Sequence, residues 1–330
     1  MHTWLIERLE CPSCHGGLEW TVNERDRGRI DEAVATCREC DAAYPVRQGI
    51  GLFLTPDLPR EDLWEQAGSQ LVEHLQAHPD VERQLMESPA DDLGPADLTF
   101  RSMVLEERGD YHQARALEER ALAGMYTPEY RACWERQTEY VVEALAGSRD
   151  AIVDLASGRG YLAEEMAQRL NRPVVVTDFS PRVLRRDRAW WTEIGLYEQV
   201  SLLAFDARHT PFQDRSVPVL TTNLGLHNVE QPGDLLQELR RIVDGRFLVI
   251  SHFYPEDDEV NLEAARELEL IASRREAMEL LAEAGWEAEV VNVCQGPAQP
   301  TPESAVLEGA RIDVFPVAET TLEWCVVEAR

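Results

Sequence analysis

Apolar residues recur along this chain with two different spacings. Short runs rich in Val, Ile, Leu and Phe fall at Ala151–Leu155, Val174–Asp178, Val200–Phe205, Val217–Asn223, Phe247–Ser251 and Ala288–Cys294, with a last pair near Arg311–Val314 and Leu322–Val327. Between most of them stand segments whose apolar residues follow the helical period: Tyr161–Leu170, Pro181–Trp191, Leu235–Ile242 and Ala272–Ala284. Strand-length β-rich runs alternating with helical patterns predict βαβ units, hence an α/β fold with a parallel sheet and helices on both faces. Two other zones precede this one. Residues 1–55 contain short apolar runs such as Ile50–Leu54 and several turn residues, and residues 56–125 read as polar helices broken at Pro79, Pro89 and the turn Asp91–Pro95. The expected organisation is therefore a small domain over 1–55, a helical linker or lid over 56–125, and the α/β domain over 126–330.

Charge narrows the function classes. The 330 residues carry a formal net charge of −29, which argues against holding bulk nucleic acid by phosphate neutralisation and against docking on an anionic membrane. The excess is uneven, since residues 56–146 hold 20 acids against 8 arginines. All 32 basic residues are Arg, so Schiff-base lysine chemistry and a P-loop lysine are excluded. No apolar run approaches the roughly 20 residues of a membrane helix, and Met1–Glu10 lacks the basic start and apolar stretch of a signal peptide. A cytoplasmic protein is expected.

Four of the seven cysteines form two C-x-x-C knuckles, Cys11–Cys14 and Cys37–Cys40, with 22 residues between them. Two such knuckles can surround one zinc tetrahedrally, and four thiolates leave no position for water, so the expected metal is structural. A disulfide pair and a redox C-x-x-C are the alternatives. Leu18, Trp20, Val22 and Val34 predict two short strands between the knuckles, and His15 reads as a surface residue. The stretch Leu5–Cys14, the second knuckle and Tyr44–Ile50 together resemble the zinc-ribbon domain of the tRNA-methyltransferase activator subunit and its bacterial relatives. Members of that family partner or precede methyltransferases.

The run Ala151-Ile-Val-Asp-Leu-Ala-Ser-Gly-Arg-Gly160 is a strand, then a small-residue loop ahead of an amphipathic helix. Gly158 and Gly160 allow a sharp turn and close approach to a ligand, and Asp154 at the strand end can accept hydrogen bonds. Asp178 ends the second strand, where an α/β site needs an acid for ribose hydroxyls. These residues leave open whether the cofactor is a dinucleotide or S-adenosyl-L-methionine. Asp154-Leu-x-x-Gly158-x-Gly160 resembles motif I of the class I S-adenosylmethionine-dependent methyltransferases, and Thr177–Pro181, Phe205–Phe212, Thr222–Val229 and Leu280–Trp286 resemble later motifs of that family. The resemblance implies a Rossmann-like sheet of seven strands, one antiparallel. It implies S-adenosyl-L-methionine as cofactor, with Asp154, Ala156, Ser157, Gly158 and Gly160 in the loop, Asp178 and Phe179 at ribose and adenine, Asp206 and Ala207 at the adenine edge, and Asn223 closing the site. Ala156 replaces the family's usual first glycine.

Methyl transfer needs a base only if the acceptor arrives protonated. His227 and His252 are the candidate bases. No Asn-Pro-Pro-Tyr-type motif follows the fourth strand, which argues against methylation of exocyclic amines, and no prolyl-cysteine nucleophile is present; Cys133, Cys294 and Cys325 read as core. A small-molecule acceptor, covered by a lid whose aromatics are Trp64, Tyr111, Tyr126, Tyr130 and Trp134, is the first reading. A second is an rRNA or tRNA methyltransferase, because a zinc ribbon ahead of such a domain resembles the rRNA guanine-N1 methyltransferases. A third is a non-catalytic cofactor-binding or partner-activating protein. The one basic cluster, Arg182, Arg185, Arg186 and Arg188, reads as a solvated helix face.

Overall fold

The structure is a computed structural model that describes residues 1–55 and 63–330, with the backbone alone at 63 and 64. Its first strands are β1 (Leu18–Asp26), β2 (Arg29–Cys37), β3 (Ala43–Arg47) and β4 (Ile50–Leu52). Five helices follow: α1 (Leu63–Ala77), α2 (Pro79–Glu87), α3 (Pro95–Glu107), α4 (Tyr111–Met125) and α5 (Pro128–Leu145). The alternating part comprises β5 (Ile152–Asp154), α6 (Tyr161–Leu170), β6 (Val174–Asp178), α7 (Pro181–Glu193), β7 (Val200–Ala204), β8 (Val217–Asn223) and α8 (Pro232–Ile242). It ends with β9 (Val243–Phe253), α9 (Glu259–Glu267), α10 (Arg274–Glu283), β10 (Ala288–Ala298) and β11 (Thr320–Ala329). Helix starts follow local chemistry: the Asp110, Thr127 and Ser273 side chains accept from the third residue on, capping α4, α5 and α10.

One sheet runs through the molecule in the order β1-β2-β3-β4-β7-β6-β5-β8-β9-β11-β10. The expectation of seven strands is thus corrected to eleven. Strands β4 to β9 are mutually parallel where they pair, and β11 lies antiparallel to both β9 and β10. The extra strands come from the amino-terminal region, because β4 pairs in parallel with β7, Ile50 opposite Leu202 and Leu52 opposite Ala204. Every residue of β5, β6 and β7 is buried, as expected for strands covered on both faces.

Two large cores lie on the two faces of the sheet. One joins Tyr44 and Phe53 to Leu203, Phe205, Phe212 and Phe247. The other joins α5, α6 and α7 to the opposite face through Val141, Met166, Trp191, Ile250 and Trp324. Helices α1 to α4 instead build two small cores of their own, around Leu71, Leu85 and Val104 and around Leu98, Leu105 and Leu117.

The strand expected near Arg311–Val314 is absent, and residues 299–319 form a loop between β10 and β11. Part of it is held by a helix rather than by a sheet neighbour. The Val306 amide and the Ser304 hydroxyl donate to Asp97 of α3, and Val306 enters the α1–α3 core.

Candidate active site and metal centre

The four knuckle cysteines converge. Their sulfurs all lie within 4.8 Å of one another, the one such cluster found among the described residues. Cys11 and Cys40 Sγ are 3.7 Å apart and Cys14 and Cys37 Sγ 3.5 Å. A tetrahedron with metal–sulfur bonds of about 2.3 Å has edges of about 3.8 Å, so the set fits a zinc-sized ion. Each knuckle turns through a left-handed residue four positions after its first cysteine, His15 (φ 58°) and Asp41 (φ 59°). His15 itself turns away from the sulfurs and pairs with Glu10 at 2.7 Å. Tyr44, buried beneath the cluster, contacts Cys11 Sγ at 3.3 Å and stacks on Phe53.

Across the sheet, Asp154, Asp178 and Asn223 stand at the carboxyl ends of the adjacent strands β5, β6 and β8, and Asp206 and Ala207 follow β7. The loop after β5 passes through left-handed conformations at Ala156 (φ 49°), Gly158 (φ 53°) and Gly160 (φ 70°). Alanine accepts the first at some strain, while at Gly160 an added Cβ would lie 2.6 Å from Trp191. Ser157 anchors the turn, its amide donating to the Thr177 carbonyl and its hydroxyl to that of Asp154. Asp178 draws loop and next helix together by accepting from the Gly158 and Ser180 amides, each at 2.9 Å. Phe179 follows it. Nothing lies within 4 Å of where a Gly158 Cβ would be, so one side of the loop is open.

The carboxylates differ electrically. Asp154 is fully buried, and burial pushes its pKa up to about 7 even though Thr221 Oγ1 donates to it at 2.7 Å. Burial would also raise Asp206, but Arg208 outweighs it by donating from its backbone and guanidinium, so Asp206 lies below the usual range.

The two candidate bases are stacked, with ring centroids 5.1 Å apart. His227 has both nitrogens engaged: Nδ1 donates to the Ile271 carbonyl at 2.7 Å, and Nε2 accepts from Ser251 Oγ at 2.7 Å. His252 Nδ1 is buried with no hydrogen-bond partner, and burial holds both imidazoles below their ordinary pKa. Of the expected lid aromatics, Tyr126 and Tyr130 stack at 4.6 Å beside His252, and Trp134 packs edge-on against Tyr161. Tyr111 opens α4, where burial and the charges of Glu106, Glu107 and Glu193 raise its pKa, and the Trp64 side chain lies outside the described residues. Cys133 and Cys325 are core as expected, whereas Cys294 is half-buried and accepts from Gln137.

Sequence reasoning missed the grip of the acidic helices on the loop. Arg159, between the two loop glycines, pairs with Glu106 of α3 and Glu118 of α4, and Tyr161 Oη donates to Glu118 at 2.6 Å. Arg115 donates to the Arg159 carbonyl and pairs with Glu164, while Arg186 donates to the Gly158 carbonyl. The supposed solvated arginine face is corrected too: Arg182 pairs with Glu65 and Glu107, and Arg185 with Glu65. The excess of acids in residues 56–146 was the visible signal; its partners were not.

Residues 152–245 match the family model described as a methyltransferase domain. This stretch is methyltransferase-like in sequence. The chain is 36% identical over 125 residues to the demethylmenaquinone methyltransferase of Thermobifida fusca, covering 36% of this chain and 50% of that protein. It is 30% identical over 131 residues to the ubiquinone/menaquinone biosynthesis C-methyltransferase UbiE of Pseudoalteromonas translucida, covering 38% and 51%. The chain thus spans about half the length of the curated relatives it matches. Among solved structures, the YcgJ protein of Bacillus subtilis superimposes with a TM-score of 0.48 at 17% identity, covering 59% of this chain and 97% of that one.

Proposed function

We propose that the chain is an S-adenosyl-L-methionine-dependent methyltransferase acting on a small-molecule acceptor, with a structural zinc held by Cys11, Cys14, Cys37 and Cys40. The observation that carries this reading is the placement of the 154–160 loop, Asp178, Asp206 and Asn223 at the carboxyl ends of four adjacent parallel strands, where open α/β sheets bind nucleotides. The methyltransferase-domain match over 152–245 supports it. The donor set also suits the cofactor. The open side of Gly158 leaves room for its methionine end, and the buried, unpartnered Asn223 Oδ1 can accept from its ammonium. Asp178 would hold the ribose hydroxyls with Phe179 against the ring system, and Asp206, oriented by Arg208, would present the adenine edge together with Ala207. When bound, the cofactor supplies a methyl group on a cationic sulfur.

His252 is the better placed of the two histidines to receive an acceptor proton, since both nitrogens of His227 are committed. The acceptor class agrees with relatives named for quinone biosynthesis. An RNA acceptor has less support, because the arginines of α7 that would meet it are already paired with Glu65 and Glu107. Domains over 1–55, 56–125 and 126–330, working in the cytoplasm with reduced thiols, complete the reading. No described helix is long and apolar enough to cross a membrane.

Calorimetric titration with S-adenosyl-L-methionine at pH 6 and pH 8 tests it. With its pKa near 7, Asp154 is mostly protonated at the lower pH and mostly ionised at the higher, so a cationic ligand beside it should bind up to about tenfold more tightly at pH 8. Absence of heat with this cofactor, alongside binding of a nicotinamide dinucleotide, would replace the reading.

A further inference from the structure

The cysteine-bearing region grips both feet of the loop that carries Asp206 and Ala207. Upstream, the loop leaves β7, whose last residue Ala204 stands opposite Leu52 of β4 and accepts from the Phe53 amide at 2.8 Å. Downstream, Pro211–Gln213 lie antiparallel to Arg8–Glu10. The Glu10 amide donates to the Pro211 carbonyl at 2.7 Å, the Gln213 amide donates to that of Arg8 at 2.9 Å, and Leu9 bridges Phe212. Glu10 immediately precedes the first knuckle cysteine. A run of side chains joins the same two places. His15, at the turn of that knuckle, lies 2.7 Å from Glu10 Oε1. Arg241 of α8 donates to the same Glu10 oxygen at 2.7 Å and to Asp214 at 2.7 Å, and two of its nitrogens grip Glu238 at 2.8 Å each. Glu238 in turn accepts from the amide and the hydroxyl of Thr210, at 2.9 and 2.7 Å, and Thr210 is fully buried. Burial would raise the Glu238 pKa, but the donors of Arg241 and Thr210 outweigh it, so the group holding Thr210 is a carboxylate at neutral pH. Little of Glu10 or Glu238 is exposed, and salt screens such a relay weakly.

Resting on the methyltransferase reading, we propose that Glu10, Arg241 and Glu238 are positioning residues that carry the shape of the metal knuckle to the adenine loop, so that metal occupancy and adenine affinity are coupled. Ligation of Cys11 and Cys14 fixes the turn that ends at His15, and with it the placement of Glu10. Through Arg241 and Glu238 that placement becomes the placement of Thr210. Little slack remains between Thr210 and the acid that reads adenine, because the His209 amide closes the turn on the Asp206 carbonyl at 2.9 Å. The metal thus reaches ligand selection without touching the ligand. Coupling of this kind is reciprocal: if the metal tightens an adenosyl ligand, the ligand tightens the metal by the same factor.

The test uses the full chain with zinc bound and two probes, S-adenosyl-L-homocysteine and its inosyl counterpart, in which a carbonyl replaces the adenine amine that Asp206 would accept from. Arg241→Met should keep its zinc yet bind the adenosyl probe about tenfold more weakly, as for a loop correctly placed about a tenth of the time. It should also lose most of the preference for adenosyl over inosyl, which a merely structural role would leave intact. In the wild type the adenosyl probe should raise zinc affinity about tenfold in equilibrium competition with EDTA, and in Arg241→Met that rise should vanish. Without any probe, amide hydrogen exchange across residues 206–210 should be about tenfold faster in the variant, with β5 and β6 unchanged. Glu10→Ala cuts the relay beside the knuckle and leaves the Arg241–Glu238 pair whole; it should show the same changes in smaller measure, and it serves if Arg241→Met fails to fold. Wild-type probe affinity in the zinc-bound variants, or unchanged exchange across 206–210, would overturn the proposal. So would a zinc affinity that the probe still raises in Arg241→Met, since the coupling would then run through the shared core. Absence of heat with either probe on the wild type counts against the methyltransferase reading, and amide exchange then still decides whether the relay holds the loop.

Discussion

The four-cysteine region and the acidic helices α1–α4 are both joined to the same sheet, by opposite means. The first is sewn in by backbone and apolar contact: β4 pairs with β7, the Phe53 amide donates to the Ala204 carbonyl, Leu9 bridges Phe212, and Tyr44 and Phe53 share a core with Leu203 and Phe205. The second keeps its own small cores and is fastened largely by charge, with Glu65, Glu106, Glu107 and Glu118 meeting Arg159, Arg182 and Arg185. Apolar burial and strand pairing make one cooperative unit, whereas ion pairs at a seam allow separate release. The difference makes the first attachment part of the frame and the second a seam that salt and acid can open.

The largest effect should come from the frame. Removing the proposed zinc with a chelator, or replacing one of its proposed ligands in Cys37→Ser, should forfeit a binding energy on the order of 10 kcal/mol, comparable with the whole stability of a domain. Because the core is shared, calorimetry should show the main transition moving down with zinc release; an unchanged melting temperature would break the comparison from that side. Next comes Glu118→Gln, which leaves Arg159 and Arg115 short of a buried partner and should cost about 3–5 kcal/mol. Limited proteolysis should then cut within 95–125 while zinc content stays at one per chain. Acid probes the same pair more gently. Burial would raise the Glu118 pKa, but Arg159 and Arg115 hold it below the ordinary value, so its contribution is complete above pH 4.5 and disappears as pH falls through the depressed folded value. Helices α3 and α4 should stay attached at pH 5 and become protease-sensitive in stronger acid. The smallest effect is that of 1 M NaCl on the more exposed Arg182 and Arg185 pairs, about 1 kcal/mol or less, read as faster cleavage near α1 with no loss of zinc.

What the chain disclosed on reading depended on the range of the interaction concerned. Val174–Asp178 and Val217–Asn223 announce themselves because strand length and two-sided burial are written in consecutive residues, and the site order Asp154, Asp178, Asp206, Asn223 follows from strands that each end at the same rim. The union of Ile50–Leu52 with Leu202–Ala204 has no such local mark, since it joins segments about 150 residues apart in the sequence. Charges are similarly mute: Arg182 and Arg185 look solvated until α1 and α3 bring their partners. At Arg311–Val314 the apolar residues resemble a strand, but Asp97 holds the neighbouring segment first, through the Ser304 hydroxyl and the Val306 amide.

The pairing of β4 with β7 has a further consequence. Val200–Ala204 is buried on both faces, and at the margin of a shorter sheet it would offer bare amides and carbonyls to any passing strand, the ordinary start of aggregation. Sealed by β4, that margin moves outward to β1, whose Glu19, Glu24, Arg25 and Asp26 discourage another chain from adding. The small cysteine-bearing region thus acts as a hem on the parallel sheet, and a fragment beginning after it would be expected to self-associate through β7.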